Sequence, residues 1–274
     1  MKFYNSKRNI IVLILIFLLI VGGGITLEAG KYIRTKKLCE DIKNGIEINT
    51  NIGNSSTAPL FFDKIATILQ IDGPKIPLIE ACYYRNVQAV HVLLENGANP
   101  NVFIEGRWSP LEAAIMNGSI DEKSLEIVQL LIEFGADVDA HASDTSVTEI
   151  IAQRMVFGNT SPQQEQILKI LVNNGASIAC DSGATILQPL VRGGNLNLAE
   201  WLLEQREIDI NEKGYAGGTA LMRVAALSPD ETRKTSVVWL LDHGADIHLK
   251  DDYGKSAYDY AVENGHTDIL ELLK

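Results

Sequence analysis

A chain of 274 residues with 46% hydrophobic and 22% charged side chains has the composition of a folded globular protein, which excludes wholesale disorder. Its net charge of −11 is uneven: seven of the 24 basic residues, but only one of the 35 acidic ones, fall in the first 37 positions, so the rest carries 17 against 34, or −17. So acidic a part is repelled by phosphate backbones, which argues against a nucleic-acid partner.

The same acidity favours a basic protein partner, captured quickly and in a salt-sensitive way, although it also serves solubility alone. The three cysteines, Cys39, Cys82 and Cys180, are far apart and odd in number, so they outline neither a disulfide framework nor a metal site.

Residues 1–9 form a basic tail with Lys2, Lys7 and Arg8. Residues 9–27 then run for 19 positions without a charge, close to the ~20 that cross a bilayer as a helix. A buried helix of a globular core interrupts such a run with polar positions. We therefore expect a single-pass transmembrane anchor over 10–27. A cleaved signal peptide is the alternative, with Val21-Gly22-Gly23 as small residues, but no A-x-A pattern stands there. Basic residues flank the span on both sides, and a short basic tail ahead of a long domain favours the tail inside. That orientation puts the remainder on the periplasmic side of a bacterial inner membrane.

Residues 28–75 read as a juxtamembrane segment and a degenerate N-terminal cap. Asp41-Ile42-Lys43-Asn44-Gly45 looks like the end of a repeat, and Thr57-Ala58-Pro59-Leu60 like the start of another. An open stack must cover its terminal apolar face, so a cap is expected.

From residue 76 onward the chain repeats. Leu93-Leu94-Glu95-Asn96-Gly97-Ala98, Leu130-Leu131 followed by Gly135-Ala136, Ile170-Leu171 followed by Gly175-Ala176, and Leu240-Leu241 followed by Gly244-Ala245 each predict an amphipathic helix stopped by glycine. Leu202-Leu203 is a variant that lacks the Gly-Ala pair. Upstream of each stands a shorter helical signature, such as Ser109-Pro110-Leu111-Glu112-Ala113-Ala114. Taking Leu78, Leu111, Thr148, Leu187, Leu221 and Tyr258 as equivalent, the spacings are 33, 37, 39, 34 and 37. Extra residues at 119–124, 157–166 and 229–236 are expected as loops between the paired helices.

These segments resemble ankyrin repeats, whose motif is T-P-L-x-x-A, then G-H, then a leucine-pair helix ending G-A-D. The resemblance spans about 76–274 and recurs six times, most closely at Tyr253-Gly254-Lys255-Ser256-Ala257 and Asn264-Gly265-His266. It implies an all-α solenoid of stacked helix-turn-helix units with short β-hairpin-like tips, following the one transmembrane helix. The histidine usual after the leucine is missing everywhere, replaced by Ile79, Glu112, Glu149, Gln188, Met222 and Asp259. The family's histidine joins a local hydrogen-bond network, so these repeats are expected to be less stable.

The resemblance also implies a protein-binding concave face, made of the tips and the exposed side of each first helix. On the first helices it carries Tyr83, Tyr84, Met116, Asn117 and Arg192. On the tips it carries Phe103, Arg107, Trp108, Asp144, Asp181, Lys213, Tyr215, Asp251, Asp252 and Tyr253. Aromatic and arginine residues on polar surfaces are what binding hot spots favour. Trp201 and Trp239, inside the second-helix signatures, are expected in the core. No G-x-S-x-G, H-E-x-x-H or P-loop pattern occurs, and neither a cofactor nor a metal is expected. The resulting expectation is a non-enzymatic, membrane-anchored protein that binds a protein, with an immunity or inhibitor role against a basic secreted toxin as one form. A structural adaptor at the membrane is the alternative.

Overall fold

The computed structural model describes residues 76–102, 108–140, 145–156, 160–227 and 231–274. The anchor expected over 10–27 and the cap expected within 28–75 lie outside the described residues. Among the described residues no helix is long and apolar enough to cross a membrane. The chain divides into two compact units, Met1–Val102 and Phe103–Lys274.

In the first unit, α1 (Pro77–Tyr83) packs on α2 (Val87–Glu95). Pro77 opens α1 where a missing N–H costs nothing. Asn86 caps α2, its side-chain oxygen accepting the Ala89 N–H at 3.1 Å. Leu78, Cys82, Val90, Leu93 and Leu94 are buried.

The second unit repeats this pairing. First helices α3 (Pro110–Met116), α5 (Val147–Arg154), α7 (Leu187–Arg192), α9 (Ala220–Ala225) and α11 (Ala257–Glu263) each pack on the next, forming an inner row. Second helices α4 (Glu122–Glu133), α6 (Pro162–Asn173), α8 (Leu196–Gln205) and α10 (Glu231–Asp242) pack on the first helix of their own repeat. A 3-10 turn, Leu270–Leu273, closes the end against α11. Ile127, Leu131, Ile151, Leu171, Leu190, Leu202 and Leu240 fill the space between the rows.

The stops are those the repeat pattern implies. After α4, Gly135 takes φ +85°, the left-handed region that favours glycine, and the Ala136 N–H then reaches back to the Leu131 carbonyl at 2.8 Å. Where Gly-Ala is absent, at the end of α8, Arg206 instead leaves the helix in extended conformation with φ −140°. Its guanidinium donates to the Val172 carbonyl at 2.7 Å, capping α6 of the preceding repeat.

Four features differ from the sequence expectations or add to them. The inserted segments are helix in part rather than loop: α4, α6 and α10 run 12 residues each, against 9 for α2 and 10 for α8, because the insertions supply extra first turns. Asp121 and Ser161 start two of those turns as N-caps. Among the described residues the tips contain an isolated antiparallel bridge, Ala179 with Thr185, and no strand. The tips instead hold shape through side-chain turns at equivalent places: Asn99, Asp137, Asp209 and Asp246 each accept the N–H two residues on at 2.8–3.0 Å.

The third is what stands in place of the missing histidine. Glu112 reaches back to the Ser109 N–H at 2.6 Å while Ser109 accepts the Glu112 N–H at 3.2 Å, a reciprocal capping box. Asp259 does the same with Ser256. Glu149 accepts the Asp181 N–H at 2.9 Å, and Gln188 donates to the Glu212 and Gly218 carbonyls at 3.1 and 3.2 Å. At these four positions a carboxylate or amide therefore makes hydrogen bonds of its own within or between repeats.

The fourth is that Trp201 and Trp239 are half-buried on the outer row, not core. Trp239 stacks on His243 with ring centroids 3.9 Å apart and donates its indole N–H to Glu200 at 3.2 Å. Lys169 stands over the Trp201 ring at 5.5 Å. An indole N–H needs a partner, and the outer face supplies one.

Candidate functional site

Two concavities line the inner face of the second unit, about 230 and 320 Å³ in volume. They share Arg192, Tyr215 and Arg223, so they form one groove with those residues at its seam. The groove follows from helix periodicity. The residues two and five places after the leucine-equivalent position lie on one helix face: Ile150 with Gln153, Pro189 with Arg192, Arg223 with Ala226, and Tyr260 with Glu263.

Arg223 is held in place from two sides. Its Nη2 donates to the Tyr215 carbonyl. Its guanidinium also lies over Gly218, where an added Cβ would stand 3.0 Å from both Nε and Nη2. A bare glycine thus makes room for the guanidinium plane. Among the described residues Arg223 has no ion pair with a carboxylate.

Asp251, at the groove floor, is 8% exposed and fully engaged. Its Oδ1 accepts the Tyr253 and Lys255 N–H groups at 3.0 and 2.9 Å, and its Oδ2 accepts the Tyr260 hydroxyl at 2.5 Å. Burial alone would raise this carboxyl, but the hydrogen bonds from Tyr260, Lys255 and Tyr253 outweigh it and hold it below the ordinary carboxylate value. The same bond to Asp251 pushes the Tyr260 hydroxyl up to about 12. Above the floor, Tyr215 and Tyr253 remain 72% and 70% exposed on adjacent tips.

Cys180 lines the other end of the groove. Burial, then the charges of Glu149, Glu212 and Asp181, push its thiol up to about 12, so it stays protonated and weakly nucleophilic. Cys82, fully buried in the first unit, is raised by burial as well.

The structure distributes the expected site residues unevenly. Arg192, Tyr215, Asp251 and Tyr253 meet in the groove. Asp181 is exposed beside it and accepts the Thr145 hydroxyl at 3.0 Å. Lys213 donates to the Lys250 carbonyl at 2.8 Å, and the Asp252 N–H to the Ala216 carbonyl at 3.1 Å, so both tie one tip to the next. Met116 and Asn117 are half-buried at the end of α3, where Arg154 donates to the Ile115 and Met116 carbonyls. Trp108 is 36% exposed at the entry to α3. In the first unit, Tyr83 and Tyr84 form an edge-to-face pair with centroids 5.2 Å apart. Phe103, Arg107 and Asp144 lie outside the described residues. Arg223 and Tyr260 were not expected from sequence.

Comparison with known proteins fits this architecture. A family model described as Ankyrin repeats matches residues 42–142 and 194–274 in three copies. YahD of Escherichia coli (strain K12), named as an ankyrin repeat protein, is 30% identical over 149 residues, covering 53% of this chain and 71% of that protein. The solved structure of EF0377, described as an ankyrin repeat protein, is 26% identical with a TM-score of 0.58, covering 72% of this chain and 95% of its own. The structure of the predatory endopeptidase Bd0816 from Bdellovibrio bacteriovorus in complex with immunity protein Bd3460 contains a chain 24% identical, with a TM-score of 0.59, covering 72% of this chain and 95% of that one. At that identity the likeness shows the fold alone.

Proposed function

The chain belongs to the ankyrin-repeat family, and from that premise we propose that it acts by binding a protein partner in the groove of its Phe103–Lys274 unit. The observation that carries this reading is the groove itself, with two arginines and exposed tyrosines over a floor whose own carboxylate is already satisfied. Tyrosine and arginine are the residues that anchor protein interfaces.

The finer reading is a membrane-anchored immunity or inhibitor protein, held by residues 10–27 on the periplasmic side of a bacterial inner membrane and neutralising a basic secreted toxin or envelope-attacking enzyme. Its support is the uncharged run at 9–27 together with the −17 charge after residue 37. A chain of this fold in an endopeptidase–immunity protein complex is consistent with such a role.

The test is capture by the tagged full chain, solubilised from membranes, with prey read by mass spectrometry across salt concentrations. One dominant, basic, salt-sensitive prey whose activity falls on binding is the expected result. Several weak prey with no change in activity favour an adaptor, and no prey at all overturns the protein-binding reading. Recovery of the full chain in the soluble fraction overturns the anchor.

A further inference from the structure

We propose that the seam of the groove selects a carboxylate side chain of the partner, with Arg223 as the fork that receives it. This inference rests on the protein-binding reading and specifies what the groove recognises.

Charge complementarity is the argument. Four carboxylates in or beside the groove, Asp251, Glu149, Glu212 and Asp181, are already engaged in other hydrogen bonds, and none of them is ion-paired with Arg223. Asp251 is closed by three donors. Glu149 accepts from the Asp181 N–H at 2.9 Å and from Gln153 at 2.7 Å. Glu212 accepts both the N–H and the hydroxyl of Thr185, at 2.9 and 2.7 Å. Asp181 takes the Thr145 hydroxyl. Arg223 spends one donor on the Tyr215 carbonyl, and a guanidinium has five in a planar fork matched to a carboxylate.

The fork is also set in advance. Gly218 and the Tyr215 carbonyl fix the guanidinium plane, so little side-chain freedom remains to be lost on binding. Tyr215 and Tyr253 line the same concavity as exposed rings, free to pack on whatever enters it. A basic partner steered in by the acidic chain is thereby gripped through one of its own acidic side chains. Long-range attraction and short-range selection act on different groups.

The probes are acetylated, amidated hexapeptides of glycine and leucine with one central glutamate, glutamine or lysine, titrated onto the full chain with tyrosine fluorescence as the readout. The glutamate peptide binds about tenfold tighter than the glutamine peptide, the scale of a charge-assisted hydrogen-bonded pair. Arg223→Gln removes that preference, whereas Lys123→Gln, an exposed charge on α4, leaves it intact. The peptide comparison needs no variant, so a folding defect in Arg223→Gln does not blur it. Equal or tighter binding of the lysine or glutamine peptide overturns the proposal, as does absence of glutamate-peptide binding at millimolar concentration. If the full chain still captures a protein while ignoring the glutamate peptide, the carboxylate proposal fails and the protein-binding reading stands.

Discussion

Arg233, only 1% exposed, places its Nη2 2.6 and 2.5 Å from the two carboxylate oxygens of Asp268, joining α10 to the turn that leads into Leu270–Leu273. Its Nη1 donates to the Leu227 carbonyl at 3.2 Å. A buried guanidinium stripped of its acid is worse than an apolar side chain in the same place. Asp268→Ala should therefore lower the melting temperature more than Arg233→Met, and hydrogen exchange should show the 3-10 turn Leu270–Leu273 opening first. Melting temperatures unchanged from the parent chain in both variants would mean the pair is dispensable.

His266 lies beside this pair, 5% exposed. Burial, then the charge of Arg233, hold its ring below the ordinary value of 6.5, against the opposing pull of Asp268. The folded chain therefore keeps this ring neutral at a pH where the unfolded chain protonates it. The stability is fully present above 6.5 and declines as pH falls from there towards the lowered folded value. Asp268, held low by Arg233, loses its contribution only below the ordinary carboxylate value of 3.8, in a separate window. Thermal melts from about pH 7.5 to 5.5 should show the decline, and His266→Gln should flatten it. An unchanged slope in that variant would assign the decline elsewhere.

Gln188 spans two repeats, since its amide serves carbonyls 24 and 30 residues away. Gln188→Met keeps the volume but leaves both carbonyls without that donor. Urea unfolding should register a loss of about 2 kcal/mol. A loss near zero would show that water replaces the amide at both carbonyls.

The Ser109–Glu112 box gives a smaller expectation. Ser109→Ala deletes an N-cap at a helix of seven residues and should cost about 1 kcal/mol in the same measurement. Reintroducing the family's usual residue by Glu112→His removes the acceptor for the Ser109 N–H and should not add stability. A gain would show that the carboxylate network is the weaker solution.

Part of the candidate site was legible because it follows helical geometry. Arg192 occupies the concave place of its first helix, and Tyr215 and Tyr253 stand at tips where repeat spacing puts exposed residues. Arg223 and Tyr260 lie on the same face three residues earlier, yet an arginine or tyrosine in a short apolar helix gives no sign of whether it faces groove or core. Asp251 looked like one exposed acid among others at Lys250-Asp251-Asp252. Only the folded tip turns its carboxylate inward onto Tyr253, Lys255 and Tyr260.

The sequence by itself determined the repeat length, the helix pairs and most of their stops, because leucine periodicity, N-capping residues and Gly-Ala pairs act within a few residues of where they stand. It also determined the charge imbalance, which needs no fold. The tertiary structure decided which side chains are consumed by neighbouring repeats and which are left to a partner. Trp239 was drawn onto Glu200 of the preceding repeat, Glu149 onto the next tip, and Arg233 onto Asp268, while Arg223 kept an open fork. Those outcomes depend on groups 30 or more residues apart meeting within hydrogen-bond range, and no local pattern encodes that distance.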